Sequence, residues 1–248
     1  MIKLSRGECP EELTEEVCQE LTRLYSENKE KDVWNSPKIK KPLKEALLAM
    51  SHSKCSYCEC KIDIESKDVT IDHFLPKSLH PELVVEWENL FPTCLRCNRE
   101  KNDCDEILLN PCENEPKEFL VLSRQNPFRL KGIDSQGGGK KTILAIGLNN
   151  PDRVMVERLL QWEDIHQKLE EIYEDLQDYG YQEKYRNRLK KLLDKCTVSN
   201  AYSAVKASNM LVDEYYINIR QIIMNSGLWD NAMVELEEDI KQIAFRFV

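Results

Sequence analysis

No stretch of this 248-residue chain is apolar over the roughly 18 residues that a membrane-crossing helix requires; the longest candidates, Ala46–Met50 and Ile143–Leu148, fall far short. The opening MIKLSRGECPEEL lacks the apolar segment of a secretory signal. There is no internal repeat, and no low-complexity tract beyond the three glycines at 137–139. Positive charge is in deficit as well, with 35 basic against 44 acidic side chains and a net charge of −9. Together these gaps argue against membrane insertion, secretion, disorder and a simple basic coat for nucleic acid, none of which is expected. A soluble cytoplasmic protein is expected. Its hydrophobic fraction of 41% suffices for a core, and its length suits one large domain or two small ones.

Cysteine, by contrast, is abundant: ten residues, seven of them between Cys55 and Cys112. Reducing compartments keep thiols free, so clustered cysteines point to metal before disulfides. Cys55-Ser-Tyr-Cys58 and Cys94-Leu-Arg-Cys97 are two CxxC pairs separated by 35 residues. Two thiolates three positions apart on a tight turn can face one cation. Two such turns complete the four-thiolate tetrahedron that zinc favours, at about 2.3 Å per bond, and a closed shell of this kind is structural. Cys60 offers a third thiol beside the first knuckle, although a small, partly buried side chain is its simpler role. Cys104 and Cys112 are further possible ligands without a CxxC partner. Cys9, Cys18 and Cys196 fall on amphipathic helices. A redox CxxC would need one pair beside a βαβ pattern, and the sequence has neither feature.

The flanks of this cysteine-rich centre read as helix. Pro10 suits a first turn, Glu11, Glu12, Glu15 and Glu16 favour its positive end, and Leu13, Val17, Leu21 and Leu24 form an amphipathic stripe. Pro42 is expected to open a second helix that runs to Met50. From Val154 to Leu176 the apolar spacing is helical up to a break at Gly180. Ser199 is placed to cap a helix carrying Val205 through Ile222, and Trp229–Phe247 makes a final one. In the centre, Val69–Phe74 is a strand candidate and Cys97–Lys101 starts a short helix. The expected division is an N-terminal helical region (1–54), a central module (55–112), a loop-rich connector with room for one hairpin (113–150) and a C-terminal helical region (151–248). The fold class expected is α+β, predominantly α.

Between and beside the knuckles lie Asp72-His73-Phe-Leu-Pro-Lys77, Trp87-Glu-Asn89-Leu and Cys97-Asn98-Arg-Glu-Lys101. They bring an imidazole, a carboxylate, two carboxamides and a lysine into one short stretch. Phosphodiester hydrolysis uses such a set: a base to deprotonate water, a hard cation for the charge of the departing oxygen, and a cation to steady the phosphate. A histidine with its ordinary pKa of about 6.5 is neutral at cellular pH and can serve as the base. Asp72 and Asn98 offer the oxygen ligands that Mg²⁺ prefers. Taken singly each residue has a plain structural reading, and only the combination carries weight.

The pattern CxxC…IDHFxPK…WxNLxxxCxxCNxxK resembles the HNH endonuclease superfamily, whose active site is a ββα-metal unit. The resemblance implies helical arms around a zinc-braced ββα-metal module, with Cys55, Cys58, Cys94 and Cys97 on a structural Zn²⁺. It casts His73 as the general base ending the first strand and Asp72 as a ligand of the catalytic metal. Asn89 becomes the middle asparagine that braces the loop between strands, Asn98 a ligand on the small helix, and Lys101 the lysine one turn further on. Asn98 stands where the letter pattern has its last histidine, which favours a hard ion, Mg²⁺ or Mn²⁺, at the catalytic position. The opening MIKLSR, the Cys-Ser-Tyr-Cys-Glu-Cys knuckle and the Lys141-Thr-Ile-Leu-Ala-Ile-Gly-Leu-Asn segment are similar to nuclease subunits of Septu-type and retron-associated anti-phage defence. That likeness implies a DNA-cleaving effector in a hetero-oligomer with an ABC/SMC-like ATPase subunit. An RNase acting on tRNA is the alternative within the class. A zinc-binding adaptor without catalysis is the alternative outside it, and it would have no use for Asp72, His73, Asn89 and Asn98.

Phosphate binding needs local cations even on an acidic chain. Lys38, Lys40, Lys41 and Lys44 precede the first knuckle. Residues 117–147 hold six basic and two acidic side chains, and residues 183–195 repeat that balance, which a solvated helix face explains equally well. Arg96 and Arg99 sit inside the motif and are the better candidates for phosphate contacts. Residues 151–178 carry nine acids against three bases and are expected to face solvent or a basic partner.

Overall fold

The computed structural model describes residues 1–62, 69–106 and 108–248. The fold class is α+β and predominantly α, with two small antiparallel sheets set among helices. Helix α1 (Glu15–Glu27) begins later than Pro10 predicts, because Thr14 caps it: the Thr14 hydroxyl accepts from the Val17 amide at 3.3 Å. Pro10 instead closes a separate turn with Leu13. After a 3₁₀ turn at Val33–Asn35 comes α2 (Lys40–Met50), which starts two residues before Pro42. A proline at the third helical position displaces no helical bond, since the first-turn amides have no partner inside the helix.

Strands β1 (Val69–His73) and β2 (Leu90–Cys94) pair antiparallel, Val69 opposite Cys94 and His73 opposite Leu90. Helix α3 (Leu95–Lys101) follows β2 without a linker and packs on both strands, while α2 covers β2. The result is a strand–strand–helix unit with its helix laid over its hairpin.

A short helix α4 (Pro116–Phe119) leads into a second hairpin, β3 (Leu120–Ser123) with β4 (Asn126–Gly132). The glycines at 137–139, read from sequence as loop, open helix α5 (Gly138–Ile146). Asp134 caps it, accepting from the amides of Gly138 and Gly139 at 2.7 and 2.8 Å. Gly139 is required there, because a Cβ would sit 2.5 Å from the Phe119 carbonyl oxygen.

The C-terminal half is helical. A π turn at Pro151–Met155 enters α6 (Val156–Tyr179), which stops at Gly180 with φ +69°. Next come α7 (Glu183–Asp194), α8 (Ser203–Met210), α9 (Glu214–Asn225) and α10 (Asn231–Ile243). The single helix expected after Ser199 is broken in two, because the Asp213 carboxylate caps α9 by accepting from the Tyr216 amide at 3.0 Å. The last expected helix is shorter too. Beyond Ala244 the chain turns extended and lays Phe247 beside Leu122 of β3, pairing an edge that would otherwise present bare backbone. One apolar cluster joins α1, α2, both hairpins and α5; a second joins α6 to α10. Among the described residues no helix is long and apolar enough to cross a membrane.

Candidate functional site

The sulfur atoms of Cys55, Cys58, Cys94 and Cys97 all lie within 4.8 Å of one another. Backbone geometry brings them there. The first knuckle is a tight turn in which Glu59 adopts a left-handed conformation (φ +67°) and the Cys55 amide donates to the Cys60 carbonyl at 2.9 Å. Ser56 ties that turn to β2, its amide and its hydroxyl both donating to the Pro92 carbonyl at 3.0 Å. Cys94 ends β2 and caps α3, accepting from the Cys97 amide at 3.5 Å. Four thiolates around zinc have sulfur–sulfur edges of about 3.8 Å, and Cys58 and Cys94 stand 3.9 Å apart. The donor set therefore fits a zinc ion. Arg153, from the π turn, adds a cation against the cluster, with Nη1 3.4 Å from the Cys97 sulfur. Cys60 is half-buried beside the group without belonging to it, and the Cys112 thiol bonds Met50 instead.

His73 closes β1 with its ring buried. Its Nε2 lies 2.8 Å from the Val84 carbonyl oxygen. Only an N–H can satisfy a carbonyl, so Nε2 carries the proton and Nδ1 keeps the free lone pair. Burial lowers the imidazole pKa to about 4, helped by the nearby Lys77 and Lys101 and only partly opposed by the Val84 bond. The ring is thus neutral at physiological pH. The indole of Trp34 stands edge-on to it at 5.0 Å.

Asp72 is buried next to it, held at Oδ2 by the Tyr57 hydroxyl (2.5 Å) and at Oδ1 by the Lys101 ammonium (3.3 Å). Burial raises this carboxyl to about 6, against the pull of Lys101 and Tyr57. Lys101 is itself buried and donates to the His73 carbonyl at 2.7 Å. Asn89 staples the loop between the strands, accepting from the Leu75 amide (2.7 Å) and donating to the carbonyls of Leu75 (3.1 Å) and Leu83 (3.3 Å).

A cleft of about 400 Å³ opens over this unit, and Asp72, His73, Asn98 and Arg99 all line it. Asn98 reaches it from α3, one turn before Lys101. Oxygen donors from Asp72 and Asn98 in one cleft suit a hard divalent cation better than a soft one. Lys101 and Asn89 do not line the cleft; both are engaged in holding the strand, helix and loop together. Arg96 is exposed and borders a separate depression beside Cys58 and Cys94.

Trp34 lines the cleft without a role in the sequence reading, and Lys77 of the motif and Lys44 of the N-terminal cations line it too. Lys77 lies over the Trp34 ring at 4.8 Å, which fixes the indole against His73. Of the lysines before the first knuckle only Lys44 reaches the cleft, whereas Lys38 pairs with Glu20 at 2.7 Å. Tyr57, between the knuckle cysteines, likewise carries no role in the sequence reading. Its only sequence signal is an aromatic inside a CxxC. The basic α7 and acidic α6 largely answer each other: Arg188 binds Glu171 and Asp175 at 2.7 and 3.1 Å, and Lys195 binds Asp164 at 2.9 Å.

Comparison with known proteins is consistent with this architecture. A family model described as HNH endonuclease matches residues 55–103. The chain is 33% identical to a Septu protein PtuB of Bacillus thuringiensis over 247 residues, covering 95% of this chain and 92% of that one. It is 29% identical to a Septu protein PtuB of Bacillus mycoides (strain KBAB4) over 196 residues, 65% of each chain.

Proposed function

Since the chain belongs to the PtuB family of HNH endonucleases, we propose that its cleft hydrolyses phosphodiester bonds with a divalent metal, DNA being the favoured substrate. The observation that carries this reading is the convergence of Asp72, His73 and Asn98 on one cleft. His73 accepts the proton of the attacking water at Nδ1, the one ring nitrogen left free by the Val84 carbonyl. That same carbonyl holds the ring still as it becomes cationic. A hard cation on Asp72 and Asn98, Mg²⁺ or Mn²⁺, would polarise the phosphate and offset the charge of the departing oxygen. Lys44, Lys77 and Arg99 line the cleft and supply positive charge for the phosphate backbone, with Arg96 a further contact outside it. Asn89 and Lys101 act on the reaction as positioning residues. Structural Zn²⁺ on the four knuckle cysteines fixes the hairpin and α3 relative to each other.

In this reading residues 55–112 form the catalytic module, 1–54 and 151–248 the helical arms and 113–150 the connector. The chain serves as the cleaving subunit of an anti-phage Septu complex beside an ABC/SMC-like, PtuA-type ATPase. A net charge of −9 supports the need for a partner, because a polyanion must be brought to a cleft whose cations are few and local.

The test incubates the protein with plasmid DNA and with total tRNA, in Mg²⁺ or EDTA, with and without the ATPase subunit. His73→Ala should lower cleavage by about 10²–10⁴-fold with its circular dichroism unchanged. Undiminished cleavage by that variant would overturn the assignment. Cleavage of tRNA alone would replace DNA by RNA as the substrate.

A further inference from the structure

Among the described residues three lysines are buried: Lys54, Lys101 and Lys206. Two of them are engaged. Lys54 donates to the Ser203 hydroxyl at 3.0 Å and pairs with Glu59 at 3.4 Å, and Lys101 holds Asp72 and the His73 carbonyl. Lys206 lies in α8, a helix buried along its whole length, and is only 3% exposed. Among the described residues its ammonium has neither a hydrogen-bond acceptor nor an ion-pair partner, and its pKa is lowered, with burial the leading cause. An ammonium carries three donors and no acceptor, and Lys206 Nζ is not among the fully enclosed unpartnered polar atoms, so its donors face open space and not protein.

The Lys206 side chain is not sealed into the apolar core. It lines a cavity of about 450 Å³ between α6 and the segment leading into α8. The surrounding charges are already partly matched. Lys195 and Asp164 answer each other at 2.9 Å, and Asp164 also binds Lys168. Lys61 donates to the carbonyls of His52 and Ser199 at 3.1 and 2.6 Å, both neutral acceptors, and pairs with no carboxylate among the described residues. Opposite these stands Glu157, an exposed carboxylate. The lining therefore holds three lysines, Lys61, Lys195 and Lys206, against two carboxylates. The Tyr202 hydroxyl and the Gln161 carboxamide border the same space and make no hydrogen bond among the described residues.

We propose that this cavity is an anion site which takes a phosphate group, with Lys206 as its buried cation and Tyr202, Gln161 and Lys61 as the surrounding donors. Several unengaged donors around a volume this large suit a tetrahedral oxyanion with many acceptor atoms better than a halide. The cavity shares no lining residue with the cleft over His73, so it is a second site and not an extension of the first. Two sources carry the required chemistry: the terminal monoester of a nucleotide, or a backbone diester of nucleic acid.

The experiment uses the full-length, zinc-loaded protein and titration calorimetry with three probes: inorganic phosphate, a 5′-mononucleotide, and an oligodeoxynucleotide without terminal phosphates. Lys206→Met keeps the apolar stem and removes the unanswered charge, so its melting temperature without ligand should equal or exceed that of the parent. Its affinity for phosphate should fall at least about tenfold, the scale of one lost charge-assisted hydrogen bond. Tyr202→Phe removes only a hydroxyl and should weaken phosphate several-fold, which keeps the test open if Lys206→Met misfolds. A mononucleotide that follows phosphate in losing affinity on Lys206→Met identifies the monoester. An oligonucleotide that follows phosphate in losing affinity, with the mononucleotide unaffected, identifies the diester. Phosphate, mononucleotide and oligonucleotide binding equal in parent and both variants, or no binding to the parent, would overturn the proposal. Because the readout is binding and not cleavage, failure here leaves the nuclease reading untouched.

Discussion

Replacing Lys101 with methionine removes the ammonium that joins β1 to α3. Its Nζ is 2.7 Å from the His73 carbonyl oxygen and 3.3 Å from Asp72 Oδ1, and both side chains are buried. Methionine refills most of the volume, so the cost is electrostatic. Taking one partner from a buried ion pair costs about 3–5 kcal/mol, because the other charge is left without compensation. Asp72 keeps the Tyr57 hydroxyl at 2.5 Å, which places this case near the lower limit. The expected loss is thus about 3 kcal/mol. In Asp72→Asn/Lys101→Met both charges are gone, and most of that loss should return as a coupling of about 0.5–3 kcal/mol. The assay is urea unfolding of the zinc-loaded parent, the two single variants and the double variant, without added divalent metal. A loss below about 1 kcal/mol in Lys101→Met, or a double variant no more stable than Lys101→Met, would refute the ion-pair account of this joint. Cleavage separates structure from chemistry: the double variant should fold yet remain inactive, since it lacks the Asp72 carboxylate.

Two further outcomes concern the metal cluster and the C-terminal helices. Cys94→Ser should lose its zinc, aggregate and stop cleaving together, because binding energy at such a site is folding energy, whereas Cys60→Ser should keep one zinc per chain by elemental analysis; equal zinc loss in both would move a ligand to Cys60. Burial pushes the Glu237 carboxyl up, but hydrogen bonds from Arg220, Tyr216 and Lys241 outweigh it and bring the pKa from 4.5 to about 2. A depressed carboxylate stabilises the fold above its unfolded pKa and loses that contribution as the pH falls toward the folded one. The partner side chains of Arg220 and Lys241 are 31% and 42% exposed, so solvent screens the network. The expected cost of Glu237→Gln is then about 1–2 kcal/mol at pH 7, below the ~3 of an unscreened shift, and it should shrink between pH 4.5 and 2. Chemical denaturation across that range checks it, and a pH-independent difference would contradict the account.

Much of the candidate centre is legible in the chain because it is local. Two cysteines three residues apart need only a tight turn to face one ion, and Asp72, His73 and Asn98 lie within the stretch those turns enclose or follow directly. The braces are harder to read. What Asn89 and Lys101 hold depends on how the loop after His73 folds back, and no spacing encodes that path. Trp34 enters the cleft from the N-terminal arm and looks like an ordinary member of a polar stretch until tertiary packing brings it in, and nothing in the spacing of Lys38, Lys40, Lys41 and Lys44 tells which of these cations reaches the cleft. Helix boundaries are hard to read where two capping signals compete. Thr14 outbids Pro10 by satisfying an amide with its hydroxyl, and Asp213 does the same inside what the apolar spacing alone reads as one helix. The acidic and basic segments are ambiguous in sequence for a simpler reason: charge runs on separate helices reveal nothing about whether those helices face each other, as α6 and α7 do.

Cys94 is at once the end of β2, the residue opposite Val69 and the cap of α3. None of the four cysteines lies in β1: Cys55 and Cys58 precede it, while Cys94 ends β2 and Cys97 sits in α3. A zinc ion on all four would clasp the turn before β1 to the end of β2 and close a loop that contains the whole hairpin. A two-stranded sheet alone is marginal in water, so the ion would act on the unfolded chain as a staple, cutting the entropy the hairpin must lose to form.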